Sequence, residues 1–300
     1  MNNSLKIGII SGFIAGIVSA IVLQFFIDIA LSLGLYDSWW RENVLCISNI
    51  PILIPLLGFW GIIFGIIYSK VYDIIPKKGI WKGLIYGLFI WFITVFRIMT
   101  YVIPYGQYLN AAGEYFSYIF SAISFGLVLG ILYEFLGSRY YPIKEKLKIM
   151  TYDMKSGILP GAIAGLVGGI GASFANVIGL AIIGFFKIPG FPAAPTLDMW
   201  ISQAGSHTVI NLFWGTIFGV IFTRVYNLIP RKGVLKGIIY SLTIFLLNSF
   251  QLGIYWFGWG LNDPSIREVA IFMGEWTIFV GFFNAFFFGL VLGLIYKPTK

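Results

Sequence analysis

One stretch of this chain occurs twice, and it limits the possible folds more than any other feature. Residues 61–86 read GIIFGIIYSKVYDIIPKKGIWKGLIY, and residues 215–240 read GTIFGVIFTRVYNLIPRKGVLKGIIY. Fifteen of the 26 aligned positions are identical, with no gap, and most others are like for like, such as Lys70 against Arg224 and Asp73 against Asn227. Each copy is an apolar helix end, a short basic turn with Pro and Gly, and the start of another apolar helix. That is the pattern of a membrane hairpin, made twice. Two shorter matches extend the duplication outward: GIISGFIAG at 8–16 against GILPGAIAG at 157–165, and FGLVLGILY at 125–133 against FGLVLGLIY at 288–296. The offset grows from 149 to 154 to 163 along the chain, which places the insertions in loops. The first apolar run recurs at residue 157, so it is expected to be a span and not a cleaved signal peptide.

Composition excludes a pair of soluble domains. Apolar residues make 59% and charged residues 11% of the chain, against roughly a quarter charged in ordinary globular proteins. The charges cluster between apolar runs of about 20 residues, the length at which a helix crosses a bilayer. Aromatic residues gather at the ends of those runs, where interfacial belts form. The net charge of +8 offers no soluble basic face, so nucleic acid is excluded as a partner. The expected fold is an all-α polytopic integral membrane protein, with eight transmembrane helices arranged as two parallel four-helix repeats. The repeats are 1–137 and 156–300, joined by a basic cytoplasmic linker at 138–155. The spans fall at about 7–33, 48–69, 80–103, 114–136, 156–186, 205–223, 234–257 and 270–296, with Pro51 and Gly205 near the starts of the second and sixth. Sixteen of the twenty Lys and Arg residues fall on one set of loops and termini. By the positive-inside rule, both termini are expected to be cytoplasmic, in the plasma membrane. An even number of spans per half makes the halves parallel.

Every span carries a small-xxx-small seam. The pattern includes Gly12 and Gly16, Gly65, Gly83, Gly126, Gly161 and Gly165, Gly219, Gly237 and Gly289. Such seams let helix backbones approach closely where lipid supplies no hydrophobic drive to associate. All lie in the cytoplasmic half of their spans, so the expected bundle is tight on that side and wider outside.

Polar residues fall in the complementary half. By α-helical spacing, Thr94, Arg97 and Tyr101 share a face of the third span, and their counterparts Asn248, Gln251 and Tyr255 share a face of the seventh. At 1.5 Å per residue, Arg97 stands about 22 Å above Lys82. His207 and Asn211 lie in the outer half of the sixth span and Asn284 near the middle of the eighth. Asp28, Glu114 and Glu275 sit at the outer rim. These residues suggest an outward-facing polar vestibule between the repeats, with Arg97 as its deepest charge and an anion or carboxylate-bearing solute favoured. The bland alternative has Arg97 snorkelling to the headgroups or pairing with Asp28 or Glu114.

The basic turns PKKG (76–79) and PRKG (230–233) serve topology first, and anionic lipid is the other partner they fit. They are not P-loops, since there is no strand and no GxxxxGK[ST]. Trp39 and Trp40 in the first outer loop, and the proline-rich segment 187–200, are expected at the interface. One Cys, Cys46, and one His make no metal cage, no hydrolase constellation has readable spacing, and no cofactor is expected. The leading expectation is a transport-type protein. A scaffold subunit, bound to a membrane protein partner or to itself, is the alternative. A lipid-modifying enzyme using Asp28, His207 and Glu275 comes third.

Overall fold

A computed structural model of the protein describes residues 3–36, 50–96, 108–139, 153–186, 197–250, 252–253 and 267–298. Among the described residues there are eight α-helices and no strand. They are α1 (Asn3–Ser32), α2 (Ile50–Val71), α3 (Ile80–Trp91), α4 (Tyr108–Arg139), α5 (Ile158–Phe186), α6 (Leu197–Val225), α7 (Val234–Phe245) and α8 (Arg267–Ile295). Six of them, all but α3 and α7, are long and apolar enough to cross a bilayer. The other two apolar segments are shorter over the described residues, Ile80–Phe96 and Val234–Phe250. The chain thus has the composition and helix lengths of a multi-pass membrane protein.

The segments expected as the third and seventh spans do not stay α-helical over their described length. Each passes from α into a π-helical turn, Phe92–Phe96 after α3 and Leu246–Phe250 after α7. Hydrophobic periodicity is blind to this, because most residues around the break are apolar and one buried polar residue in each turn, Thr94 or Asn248, does not reveal a change of helical register. The sixth helix starts at Leu197, so Gly205 lies inside it and does not open it.

The chain divides into two compact units, Met1–Ile149 and Met150–Lys300. In the first, α1 packs between α2 and α4, and α3 packs on α4. The Tyr86 hydroxyl of α3 donates to the Phe64 carbonyl of α2 at 2.8 Å, closing the ring of four. In the second, α5 packs between α6 and α8, and α7 packs on α8. There Tyr240 donates to the Phe218 carbonyl at 2.7 Å. Trp60 and Trp214, 154 residues apart, are the largest fully buried side chains.

The α1 helix shows why its buried face cannot be found by hydrophobicity alone. Gly8, Ser11, Gly12, Ala15, Gly16, Ser19 and Ala20 are buried. Ile10, Phe13, Ile14, Ile21 and Phe25 are exposed. Over residues 8–21 the small residues face in and the large apolar ones do not, while Ile7, Leu23, Ile27 and Leu31 are buried at either end of this stretch; the small-residue stretch suits a helix whose neighbours must come close.

Both basic turns are built alike. Lys77 and Arg231 take the left-handed φ of +77°. Gly79 and Gly233 follow at φ +63° and +53°, with ψ near the extended range, and open α3 and α7 without any side-chain cap. That backbone region is open essentially to Gly alone. Gly233→Ala is therefore expected to cost about 1–3 kcal/mol, read as a lowered thermal midpoint in detergent. A Cβ there meets open space, so any loss reports backbone strain and not a clash.

Candidate functional site

The glycines of the seams sit at close helix crossings. A Cβ on Gly12 would land on the Gly61 carbonyl oxygen, one on Gly16 on that of Leu57, and one on Gly65 on that of Gly8. In the same way Gly83 and Gly126 face each other across α3 and α4. Gly161 meets Gly215 and Gly165 meets the Asn211 carbonyl across α5 and α6, and Gly219 of α6 meets Gly157 in the 3-10 turn that leads into α5. Gly237 and Gly289 meet across α7 and α8. Each unit therefore contains two helix pairs in backbone contact, α1–α2 and α3–α4 in one, α5–α6 and α7–α8 in the other.

Polar side chains lie beyond these crossings. Thr94 and Asn248 occupy the same place in the two π-helical turns, and both are buried. The Thr94 hydroxyl donates to the Ile90 carbonyl at 2.6 Å. A π turn adds a residue to the helical register, so the face defined by α spacing does not carry across it. The shared face expected for Thr94, Arg97 and Tyr101, and for Asn248, Gln251 and Tyr255, rested on that spacing. Arg97, Tyr101, Gln251 and Tyr255 lie outside the described residues, as do Trp39, Trp40 and Cys46.

The second unit holds a polar cluster at a crossing of three helices. Asn284 of α8 donates from Nδ2 to Oδ1 of Asn211 in α6 at 2.8 Å. Asn211 Nδ2 in turn donates to the His207 carbonyl at 2.8 Å. Asn284 fits because Gly168 of α5 lies opposite, where a Cβ would come within 2.8 Å of Asn284 Oδ1. The matching place in the first unit has a different solution. Ser121 corresponds to Asn284 and Ser19 to Gly168, and their hydroxyls are 2.8 Å apart. Ser121 also donates to the Ser19 carbonyl at 3.1 Å. Leu57 stands where the second unit has Asn211.

The sequence had singled out His207, Asn211 and Asn284 separately, and the structure brings them together. It had passed over Ser19 and Ser121, although aligning 121 with 284 at the offset of 163 would have marked the pair. It had also missed Asn176, whose Oδ1 accepts from Trp276 Nε1 at 3.0 Å and ties α5 to α8. Asp28 is exposed and accepts from Gln24 Nε2 at 3.0 Å, Glu275 is exposed, and Glu114 is half-buried.

At the basic turns, one cation of each set turns inward. Lys82 Nζ donates to the Tyr72 carbonyl at 2.6 Å and lies 3.9 Å from the centre of the Tyr72 ring. Lys236 repeats both contacts with Tyr226, at 2.5 Å and 3.9 Å. The cation–π attraction and the carbonyl together hold each ammonium at the helix start. Lys70, Lys77, Lys78, Arg231 and Lys232 remain exposed. Among the described residues no three of His, Cys, Asp and Glu are grouped to hold a metal ion.

No known protein family, curated protein or solved structure matches the chain.

Proposed function

We propose that this is an integral membrane protein of transport type: a channel, a carrier, or the membrane component of a transporter for a small solute. The observation that carries the reading is the matched pair of π-helical turns with buried Thr94 and Asn248. Irregular backbone at membrane depth is tolerated where it is enclosed by protein or lines a water-filled cavity, and π turns recur at functional sites. The same irregularity kept in both copies, each time around a buried polar side chain, supports a role in a solute path more than in packing. Arg97 follows the first π turn directly and Gln251 the second, which favours an anionic solute. The excess of Lys and Arg on one side supports cytoplasmic termini and a plasma-membrane location.

Thiol accessibility tests this. In a Cys46→Ser background, Thr94→Cys and Asn248→Cys are expected to react with a membrane-impermeant maleimide added to intact cells. Small-anion flux in proteoliposomes is expected to stop on labelling. Arg97→Ala is expected to lose flux while remaining folded and inserted. If neither cysteine reacts while an outer-loop control does, and the reconstituted protein passes no solute, the chain is a scaffold and its polar residues serve packing or a partner.

A further inference from the structure

The two units differ in the side chains that stand against their π turns. In the first, Trp91 ends α3 just before the turn and Phe96 ends the turn itself. The Tyr115 ring of α4 packs against both, with centroids 6.1 Å from Trp91 and 5.6 Å from Phe96. Trp91 and Phe96 are 6.0 Å apart, so the three rings form one cluster. The cluster carries two polar atoms, Trp91 Nε1 and the Tyr115 hydroxyl. Both atoms are buried, and neither has a hydrogen-bond partner among the described residues. An indole N–H only donates, and a phenol has a proton to donate. A buried donor left without an acceptor costs stability and calls for a reason.

Packing is not the reason. In the second unit Phe245 stands at the place of Trp91, Phe250 at that of Phe96 and Ile278 at that of Tyr115. The Phe245 and Phe250 rings are 6.1 Å apart at 58°, against 6.0 Å at 53° for Trp91 and Phe96. The same turn is thus packed with no polar side chain at these places. Where a tryptophan ties two helices together, the chain supplies an acceptor: Trp276 Nε1 donates to Asn176 Oδ1 at 3.0 Å. Beside the first π turn two donors from two helices stand together instead, and the residue that follows Phe96 in the chain is Arg97.

We infer that the first unit binds a carboxylate group between Trp91 and Tyr115, one oxygen accepting from the indole N–H and the other from the phenol, and that the second unit, with Phe245 and Ile278, does not. A carboxylate only accepts, through two oxygens, so it satisfies both donors at once, whereas a cation has nothing to gain from either. The inference rests on the transport reading and deepens it: the solute is a small carboxylate, held by one unit of the two.

The test uses the full chain in phosphatidylcholine nanodiscs, with trifluoroacetate as the probe and its fluorine NMR line width as the readout. Trifluoroethanol, which lacks the carboxylate, is the control. Saturable broadening of trifluoroacetate alone is expected. Tyr115→Phe removes a single oxygen, and Trp91→Phe installs the residue that the second unit has. Each is expected to weaken binding by about tenfold or more, the effect of losing one hydrogen bond to a charged group. Tyr115→Phe is also expected to leave the thermal midpoint without probe unchanged or raised, since it removes a buried group that has no partner. Trp276→Phe is expected to lower the midpoint and leave binding intact. The site is overturned if the wild type shows no saturable binding, if trifluoroethanol binds equally, if both variants bind as the wild type does, or if Tyr115→Phe lowers the midpoint. Binding is read without flux, so the two readings fail separately. Anion flux in proteoliposomes, with binding insensitive to either variant, overturns this site alone. Variant-sensitive binding without flux supports the site and ends the transport reading.

Discussion

Gly83→Leu is expected to lower the thermal midpoint of the purified protein by about 10 °C, and Gly237→Leu to match it. The reason is what stands opposite. A Cβ on Gly83 would land on the Gly126 carbonyl oxygen and within 2.6 Å of the Gly130 backbone. On Gly237 it would land on the Gly289 carbonyl and within 2.6 Å of the Gly293 nitrogen. Backbone cannot change rotamer to make room, so the helices must separate along the whole crossing. Overpacking of a well-packed interior costs about 1–3 kcal/mol, and an obstacle made of backbone belongs at the top of that range. About 3 kcal/mol corresponds to roughly 6–12 °C for a unit of this size. The control is Gly205→Leu. Gly205 is exposed within α6 and a Cβ there meets nothing within 4 Å, so the loss of a helical glycine is expected to leave the midpoint unchanged or slightly raised. Unchanged midpoints for both Gly83→Leu and Gly237→Leu would remove the account of packing given above.

Asn211→Leu tests the polar cluster. It places in the second unit the residue that the first unit has at Leu57. Alone it is expected to cost about 1–3 kcal/mol, because the half-buried Asn284 amide loses its acceptor. Gly168→Ser alone is also expected to destabilise, since its Cβ would crowd Asn284 Oδ1. Combined with Asn284→Ser, the three changes reproduce the Leu57, Ser19 and Ser121 arrangement of the first unit. The triple variant is expected to regain most of the lost stability, which is non-additivity of the kind that residues in one network show. Midpoints that simply add across the three substitutions would mean that the cluster is not a unit.

The helices were legible because their causes are local. Runs of apolar residues, the PKKG and PRKG turns and the glycine repeats at every fourth position specify helix, turn and close-packing face without reference to anything distant. The matched behaviour of Lys82 and Lys236, or of Tyr86 and Tyr240, follows from identical residues in identical local settings. The π-helical turns were not legible. A fifth residue in the turn is a matter of how the backbone resolves its packing, and FITVF and LLNSF share almost no residues while taking the same form.

What the sequence by itself determined is a helical membrane chain made of two similar halves, with small residues where helices meet. Which seam meets which was decided only by the tertiary structure. The Gly12 seam could have served any neighbour, because a row of glycines is complementary to every other row of glycines; the fold sets it against α2 and sets Gly83 against α4. The polar contacts carry more identity. Asn284 reaches Asn211 because Gly168 leaves it room, and Glu134 lies against Gly79, held there by the Tyr72 hydroxyl. Each depends on three residues from distant segments, and no spacing along the chain records it.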